Sequence, residues 1–203
     1  MENRIIKASD KQLSNVAGMD LPHDWWSRRY EYAFALDFAE PSQVVADMGC
    51  GWMYRPFKNA LAEIVGTVYA VDANSKLLEQ SKSDNMEFIV APMEGTPIED
   101  KSCDRVFCIS VLEDIQDPDP ALKEFARILK DDGRIVITMD IPYDVEKPCP
   151  RYPGMNMATF TKAVANAGLV FDGGVNLKRD DVVYHREWNL CVFRCVLKKQ
   201  SSG

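Results

Sequence analysis

Apolar and polar positions alternate along this chain in two rhythms. Short, nearly continuous apolar runs over 44–48, 67–71, 86–91, 105–110 and 134–139 read as strands buried on both faces, because a half-exposed strand would alternate with period two. Between them the period changes to that of a helix. Phe57, Ala60, Leu61, Ile64 and Val65 predict a helix over 55–65 that Gly66 stops, and Leu77 and Leu78 anchor a short one over 74–81. Leu122, Phe125, Ala126 and Leu129 recur at i, i+3, i+4 and i+7 behind Asp119 and Pro120, a cap and first position, and Gly133 is expected to end this helix. Ahead of the first strand, Trp26, Tyr30, Ala33, Phe34 and Asp37 fall on an aromatic-rich amphipathic helix over 24–39, with Asp24 as its cap and Pro41 beyond its end. Residues 1–23 show no clear periodicity and are expected to lie as an arm on the domain surface.

Strands alternating with helices imply a doubly wound α/β fold, a mostly parallel sheet with helices on both faces and right-handed crossovers. The C-terminal part departs from that rhythm. After a helix from Ala158 to Gly168, strand-like runs over 169–177 and 188–197 are separated only by polar residues, so they predict an antiparallel pair at one sheet edge.

Composition narrows the picture. With 203 residues, 46% of them hydrophobic and 27% charged, the chain can bury one sizeable core, so a single domain over 1–203 is expected. Its parts are the arm (1–23), the aromatic helix (24–40), a cofactor-binding core (41–140) and an acceptor-side loop, helix and closing hairpin (141–199). A net charge of −7 disfavours nucleic acid, whose binding draws on Lys and Arg neutralising phosphates. No run approaches the roughly 20 apolar residues of a bilayer span, and Met1-Glu2-Asn3-Arg4 lacks the pattern of a signal peptide. A cytoplasmic protein without a membrane partner is the expectation. The six cysteines form no Cys-x-x-Cys pair and mostly sit in apolar runs, and there are two histidines, so no metal site is predicted.

The chemistry concentrates at Asp47-Met48-Gly49-Cys50-Gly51, where a buried strand ends in an acid and breaks into a glycine turn that lets the backbone approach a ligand. Ligands of open α/β sheets bind beyond the carboxyl ends of the strands. Asp72, Met93, Glu94 and Ser110 follow or close the neighbouring strands, and Asp72 lies where a carboxylate can take both ribose hydroxyls. Arg28 and Tyr32, one helical turn apart, are candidates to reach the same mouth.

The turn, Val71-Asp72, the stretch Pro97-Ile98-Glu99-Asp100-Lys101-Ser102-Cys103-Asp104, Val111-Leu112-Glu113-Asp114-Ile115 and Ile128-Leu129-Lys130-Asp131-Asp132-Gly133-Arg134 together resemble the class I S-adenosylmethionine-dependent methyltransferases, in order and spacing over about residues 42–140. The helix carrying Trp26-Ser27-Arg28 and Glu31-Tyr32 is similar to one in some bacterial members. The resemblance implies a Rossmann-like sheet of seven strands, the last antiparallel, and S-adenosylmethionine as cofactor. By position, Asp47 with Gly49, Cys50 and Gly51 would cradle the methionine end. Asp72, with Ala73 beside it, would take the ribose, Met93 and Glu94 would meet the adenine, and Ser110 would border the methionine portion. Two departures are visible: Met53, behind Trp52, replaces the family's third glycine, and Pro92 stands where many relatives have an acid.

The implied function is methyl transfer to a small-molecule or saccharide-like acceptor. A non-catalytic cofactor-binding module is the main alternative, since no strong catalytic residue is visible. A nicotinamide-dependent oxidoreductase fits less well, because Gly49-x-Gly51-x-x-Tyr54 lacks the last glycine of that fingerprint. A general base is optional for direct displacement; Tyr143, His185, Glu113 and Asp114 are the candidates, with His185 read as an exposed turn residue. The aromatic helix and the proline-rich stretch 142–156 are expected to shape the acceptor site.

Overall fold

The computed structural model describes residues 2–53, 56–144 and 156–200. The chain enters its main sheet at once. Glu2–Ile5 (β1) is followed by a small separate hairpin, Asn15–Val16 (β2) and Met19–Asp20 (β3), and by the helix Arg28–Leu36 (α1). The expected core comes next: Val44–Met48 (β4), Phe57–Ile64 (α2), Thr67–Asp72 (β5), Met86–Val90 (β6), Cys103–Ile109 (β7), Pro118–Ile128 (α3) and Leu129–Pro142 (β8). Met157–Asn166 (α4), Leu169–Phe171 (β9), Gly174–Asn176 (β10), Tyr184–His185 (β11) and Leu190–Lys199 (β12) complete it. Short 3-10 turns occupy Ser75–Glu79 and Leu112–Asp114.

The strand order is β10-β1-β12-β8-β7-β4-β5-β6, with β9 and β11 also paired to β12. From β6 to β8 every pairing is parallel, and β12 runs antiparallel to β8 over eight residue pairs. The doubly wound sheet with an antiparallel closing strand is therefore present, and β1, β10 and β11 extend it to ten strands among the described residues.

Side-chain alternation divides the core into two layers. On one face Met48, Val106, Cys108, Ile135 and Ile137 pack with Leu122 and Phe125 of α3 and Phe160 of α4. On the other, Val45, Phe107 and Val136 pack with Phe34 of α1 and Phe57 and Leu61 of α2. Central strands covered on both faces must be apolar at consecutive positions, which is why they read as runs.

Several boundaries differ from expectation for identifiable reasons. Residues 2–5 are not part of a surface arm: β1 lies between β10 and β12, and Ile5 and Ile6 are fully buried. Its polar residues disguise it, since Asn3 is itself buried and donates to the carbonyls of Gly173 and Gly174 while accepting from Val196 N at 2.8 Å. α1 starts at Arg28 rather than near Asp24, with Ser27 at the cap position. α3 is capped by Asp117, whose carboxylate accepts from Asp119 N, so Pro118 and not Pro120 opens it. It ends at Ile128, and Gly133 lies inside β8. The run 169–177 splits: β9 pairs antiparallel with the end of β12 as predicted, whereas β10 pairs parallel with β1.

Candidate functional site

At the carboxyl ends of β4, β5 and β7 the backbone folds into the glycine turn. Gly49 and Gly51 have φ of +77° and +84°, the left-handed region that a side chain makes costly. The turn is tied down from beneath. Gly49 N and Cys50 N donate to the carbonyl of Val71 at 2.8 and 2.9 Å, and Gly51 N donates to Asp72 Oδ2 at 3.0 Å. Lys58, which is buried, and half-buried Gln80 donate to the Gly51 carbonyl. A Cβ at Gly49 would stand 2.5 Å from Val111 Cγ1, so the turn is packed against the segment after β7 as well as bent.

The turn opens on a cavity of about 440 Å³, within the usual range for small-molecule sites. Asp47, Gly49, Cys50, Gly51 and Asp72 line it from below, and Arg28, Tyr32 and Ser110 from the side. Asp47 is 3% exposed, and its Oδ2 has no hydrogen-bond partner among the described residues. Burial pushes its pKa up to about 7; Lys58 opposes that rise and Asp72 adds to it. Cys50 is buried and its thiol is pushed up by burial first, which leaves it inert as a nucleophile.

Asp72 accepts from Asn74 N at 2.9 Å as well as from Gly51 N. Each carboxylate oxygen has two lone-pair directions, so two acceptor positions are left for ligand hydroxyls.

Arg28 and Tyr32 line the cavity, and their helix is anchored by a residue that was not among the candidates. Glu31 is fully buried, accepts from Arg28 at 2.6 Å and from Ser110 Oγ at 2.5 Å, and also accepts from Thr138 Oγ1. Burial would raise its pKa, yet Arg28 and these hydroxyls hold it below the usual carboxylate range. Desolvation likewise works against the Arg28 charge, and Glu31 more than compensates, so its pKa is raised. Ser110 borders the cavity in a left-handed conformation, φ +48°, with its hydroxyl directed to Glu31. Tyr32 stacks on Phe57 with ring centres 5.2 Å apart.

The cavity wall also includes Trp25, Trp26, Trp188, Asp114 and Asp140. Asp140 and Trp188 were not among the candidates. An acid closing an apolar run, as Asp72 does, was the available signal for Asp140; for Trp188 there was none. Behind Asp140 lies Glu113, 4% exposed, whose Oε1 accepts from Asp140 N at 3.0 Å. Burial, and then the neighbouring Asp140, raise the Glu113 pKa well above the ordinary range.

Other candidates fall elsewhere. Ala73, Met93 and Glu94 are not among the residues lining the cavity: Met93 packs half-buried against the core and Glu94 is exposed. Tyr143 stacks with Tyr184 at 4.1 Å, also off the cavity wall. His185 is not an exposed turn residue. It stacks flat on Trp188 at 4.0 Å and meets Trp26 edge-on at 5.5 Å, directly behind two residues of the wall. Most of the stretch 142–156 expected to shape the acceptor site lies outside the described residues, as does Tyr54. Trp52 and Met53 are exposed beside the turn, with Lys76 Nζ 4.9 Å from the Trp52 ring. Among the described residues no cluster of His, Cys, Asp or Glu could hold a metal ion, and no helix is long and apolar enough to cross a membrane.

The fold is Rossmann-like, of the kind found in S-adenosylmethionine-dependent methyltransferases, as the sequence motifs implied. Residues 46–137 match the family described as a methyltransferase domain, and S-adenosylmethionine is the cofactor that this family implies. The chain is 36% identical over 80 residues to the ubiquinone/menaquinone biosynthesis C-methyltransferase UbiE of Hahella chejuensis, covering 39% of this chain and 32% of that one. A Campylobacter jejuni protein of the same name is 28% identical over 146 residues, 68% of this chain and 60% of that one. The chain thus spans about a third to three fifths of the length of these curated relatives. A structure of a SAM-dependent methyltransferase from Aquifex aeolicus superposes with a TM-score of 0.61 at 17% identity, covering 82% of this chain and 89% of that one. The [4+2]-cyclase SpnF superposes at 0.72 with 12% identity, covering 97% and 88%. At such identities these superpositions speak for the fold alone, and one fold serves more than one reaction.

Proposed function

We propose that this chain binds S-adenosylmethionine at the glycine turn and transfers its methyl group to a small-molecule acceptor, a saccharide-like one included. The observation that carries the reading is the turn with left-handed Gly49 and Gly51 beside the buried Asp47, whose Oδ2 has no hydrogen-bond partner among the described residues. The residues fit the cofactor. A lone carboxylate oxygen facing a cavity suits an ammonium group, the side-chain-free turn lets the backbone approach, and Asp72 has acceptor positions left for ribose hydroxyls.

Bound there, the cofactor supplies a methyl group activated on a sulfonium sulfur. The remaining work belongs to the chain. Asp47 and Asp72 fix the position of the ligand, Tyr32 and the indoles of Trp26 and Trp188 exclude water, and Arg28 is held at the mouth by Glu31. Orienting two reactants in this way can supply roughly 7–11 kcal/mol of a displacement barrier. Asp114 and Asp140, both on the cavity wall, are the acids placed to take a proton from an acceptor that must lose one.

Calorimetry with S-adenosylmethionine and, separately, NADH tests the binding step, with heat expected only for the former. No heat with S-adenosylmethionine at millimolar concentration sinks the proposal. Binding without formation of S-adenosylhomocysteine across a panel of acceptors would instead favour a non-catalytic module.

A further inference from the structure

The Glu31 side chain is shut off from solvent, yet it stays charged and ties α1 to the ends of two strands. Its Oε1 accepts from Arg28 Nη1 at 2.6 Å, and its Oε2 accepts from Ser110 Oγ at 2.5 Å and from Thr138 Oγ1. Arg28 opens α1, Ser110 follows β7, and Thr138 lies in β8, where its carbonyl accepts from Ser110 N at 2.8 Å. Both carboxylate oxygens are thereby fixed, and with them the place of the guanidinium.

Fastening the helix does not require a carboxylate. Tyr32, Phe34 and Ala35 already pack α1 into the layer that holds Phe57, Leu61 and Phe107. A buried ion pair carries a desolvation cost that an apolar residue of similar volume avoids, and what the pair adds is a fixed direction. The direction set here is that of Arg28, which lines the cavity with its side chain 23% exposed. A guanidinium presents five N–H groups in a rigid plane that matches a carboxylate in two-point contact, and the bond to Glu31 uses one of them. Asp47, Ser110 and the Gly49–Gly51 turn line the same cavity. Arg28 therefore stands on the wall of the space proposed for the methionine end of the cofactor, and that end carries a carboxylate.

Resting on the reading that the turn holds S-adenosylmethionine, we infer that Arg28 receives the carboxylate of the cofactor's methionine portion and that Glu31 is the positioning residue that aims it. Asp47 and Arg28 then take the two opposite charges of one amino-acid group, the ammonium and the carboxylate. Ser110 and Thr138 act through Glu31, because their hydroxyls keep its carboxylate from swinging with the guanidinium.

Calorimetry on the full chain compares S-adenosylmethionine with its decarboxylated form, which keeps the sulfonium and the ammonium and lacks the carboxylate. If neither ligand binds, the cofactor reading fails and the inference with it. The parent is expected to bind S-adenosylmethionine about tenfold or more tighter than the decarboxylated ligand. Arg28→Met is expected to bring that ratio close to one. Glu31→Gln, which keeps the size of the side chain and removes its charge, is expected to lower the ratio severalfold. Both variants should hold the decarboxylated ligand within about threefold of the parent, which reports an intact fold. Thr138→Val removes one hydroxyl from Glu31 and is expected to lower the ratio by a smaller factor; it carries the test should Glu31→Gln not fold. A merely structural Glu31 would weaken both ligands alike. A parent ratio near one, or an unchanged ratio in Arg28→Met, overturns the assignment of Arg28. An unchanged ratio in Glu31→Gln, or in Thr138→Val where that variant carries the test, overturns the positioning role.

Discussion

The Asp47 carboxylate shows how a single residue links the site to the stability of the fold. Its pKa in the folded chain is about 7, against an ordinary 3.8, because burial disfavours the charge. Between those values the folded chain keeps a proton that the unfolded chain has lost, so this group's contribution to stability falls as pH rises through that window. Asp47→Asn removes the titration. The variant is expected to match the parent near about pH 4 and to exceed it by roughly 2–4 kcal/mol near about pH 8, measured by urea unfolding. Asp72 behaves differently, since it already accepts from Gly51 N and Asn74 N. Asp72→Ala is expected to weaken S-adenosylmethionine binding by about 1.5–3 kcal/mol for each charged hydrogen bond lost, read by calorimetry, with a small fall in melting temperature from the released turn. Unchanged affinity would place the ribose elsewhere. Both acids were legible from sequence because each closes a buried apolar run. Glu31 was not, because its burial depends on Ser110 and Thr138, which arrive 79 and 107 residues later.

At the scale of elements, the glycine turn is a joint between β4 and the segment following β7. Alanine at Gly49 meets two obstacles, a positive φ and a Cβ 2.5 Å from Val111 Cγ1. The backbone part costs about 1–2 kcal/mol and overpacking about 1–3 kcal/mol more. Gly49→Ala is therefore expected to lose roughly 2–5 kcal/mol of stability and most cofactor affinity. Adding Val111→Ala should restore the packing part and leave the backbone part, a partial rescue that a double-mutant unfolding cycle would measure. Full rescue would mean that φ is unstrained, and no rescue that Val111 moves aside freely. Elements of this kind were the most legible. β4, β5 and α3 announce themselves by period and flanking breakers, whereas the limits of α3 slipped because both Asp117-Pro118 and Asp119-Pro120 carry a capping signal, and only the folded chain shows which carboxylate accepts from the backbone.

For the molecule as a whole, the sheet is closed by its two ends. β1 lies between β10 and β12, so residues about 170 apart in sequence meet at one edge, and Asn3 is the fastener. Its amide spans the Gly173 and Gly174 carbonyls on one side and Val196 N on the other. No local pattern betrays this, since β1 is four residues long and its Asn3 reads as solvent-facing until its distant partners are in place. The consequence is a boundary in stability. β4 to β8 pair with one another over long parallel registers, while among the described residues β10 is paired only to β1. Asn3→Ala leaves Val196 N–H buried without its acceptor and should cost about 1–3 kcal/mol. The loss should not be uniform. Amide hydrogen exchange is expected to quicken sharply in residues 2–5 and 174–176 at denaturant concentrations where 44–48 and 67–72 remain protected, because opening the edge leaves the doubly wound core and its glycine turn intact. Exchange that quickens equally in β4 and β10 would mean that the chain ends and the cofactor core unfold as one unit. In that case the terminal strand would be part of what holds the cavity in shape rather than an extension of the sheet beside it.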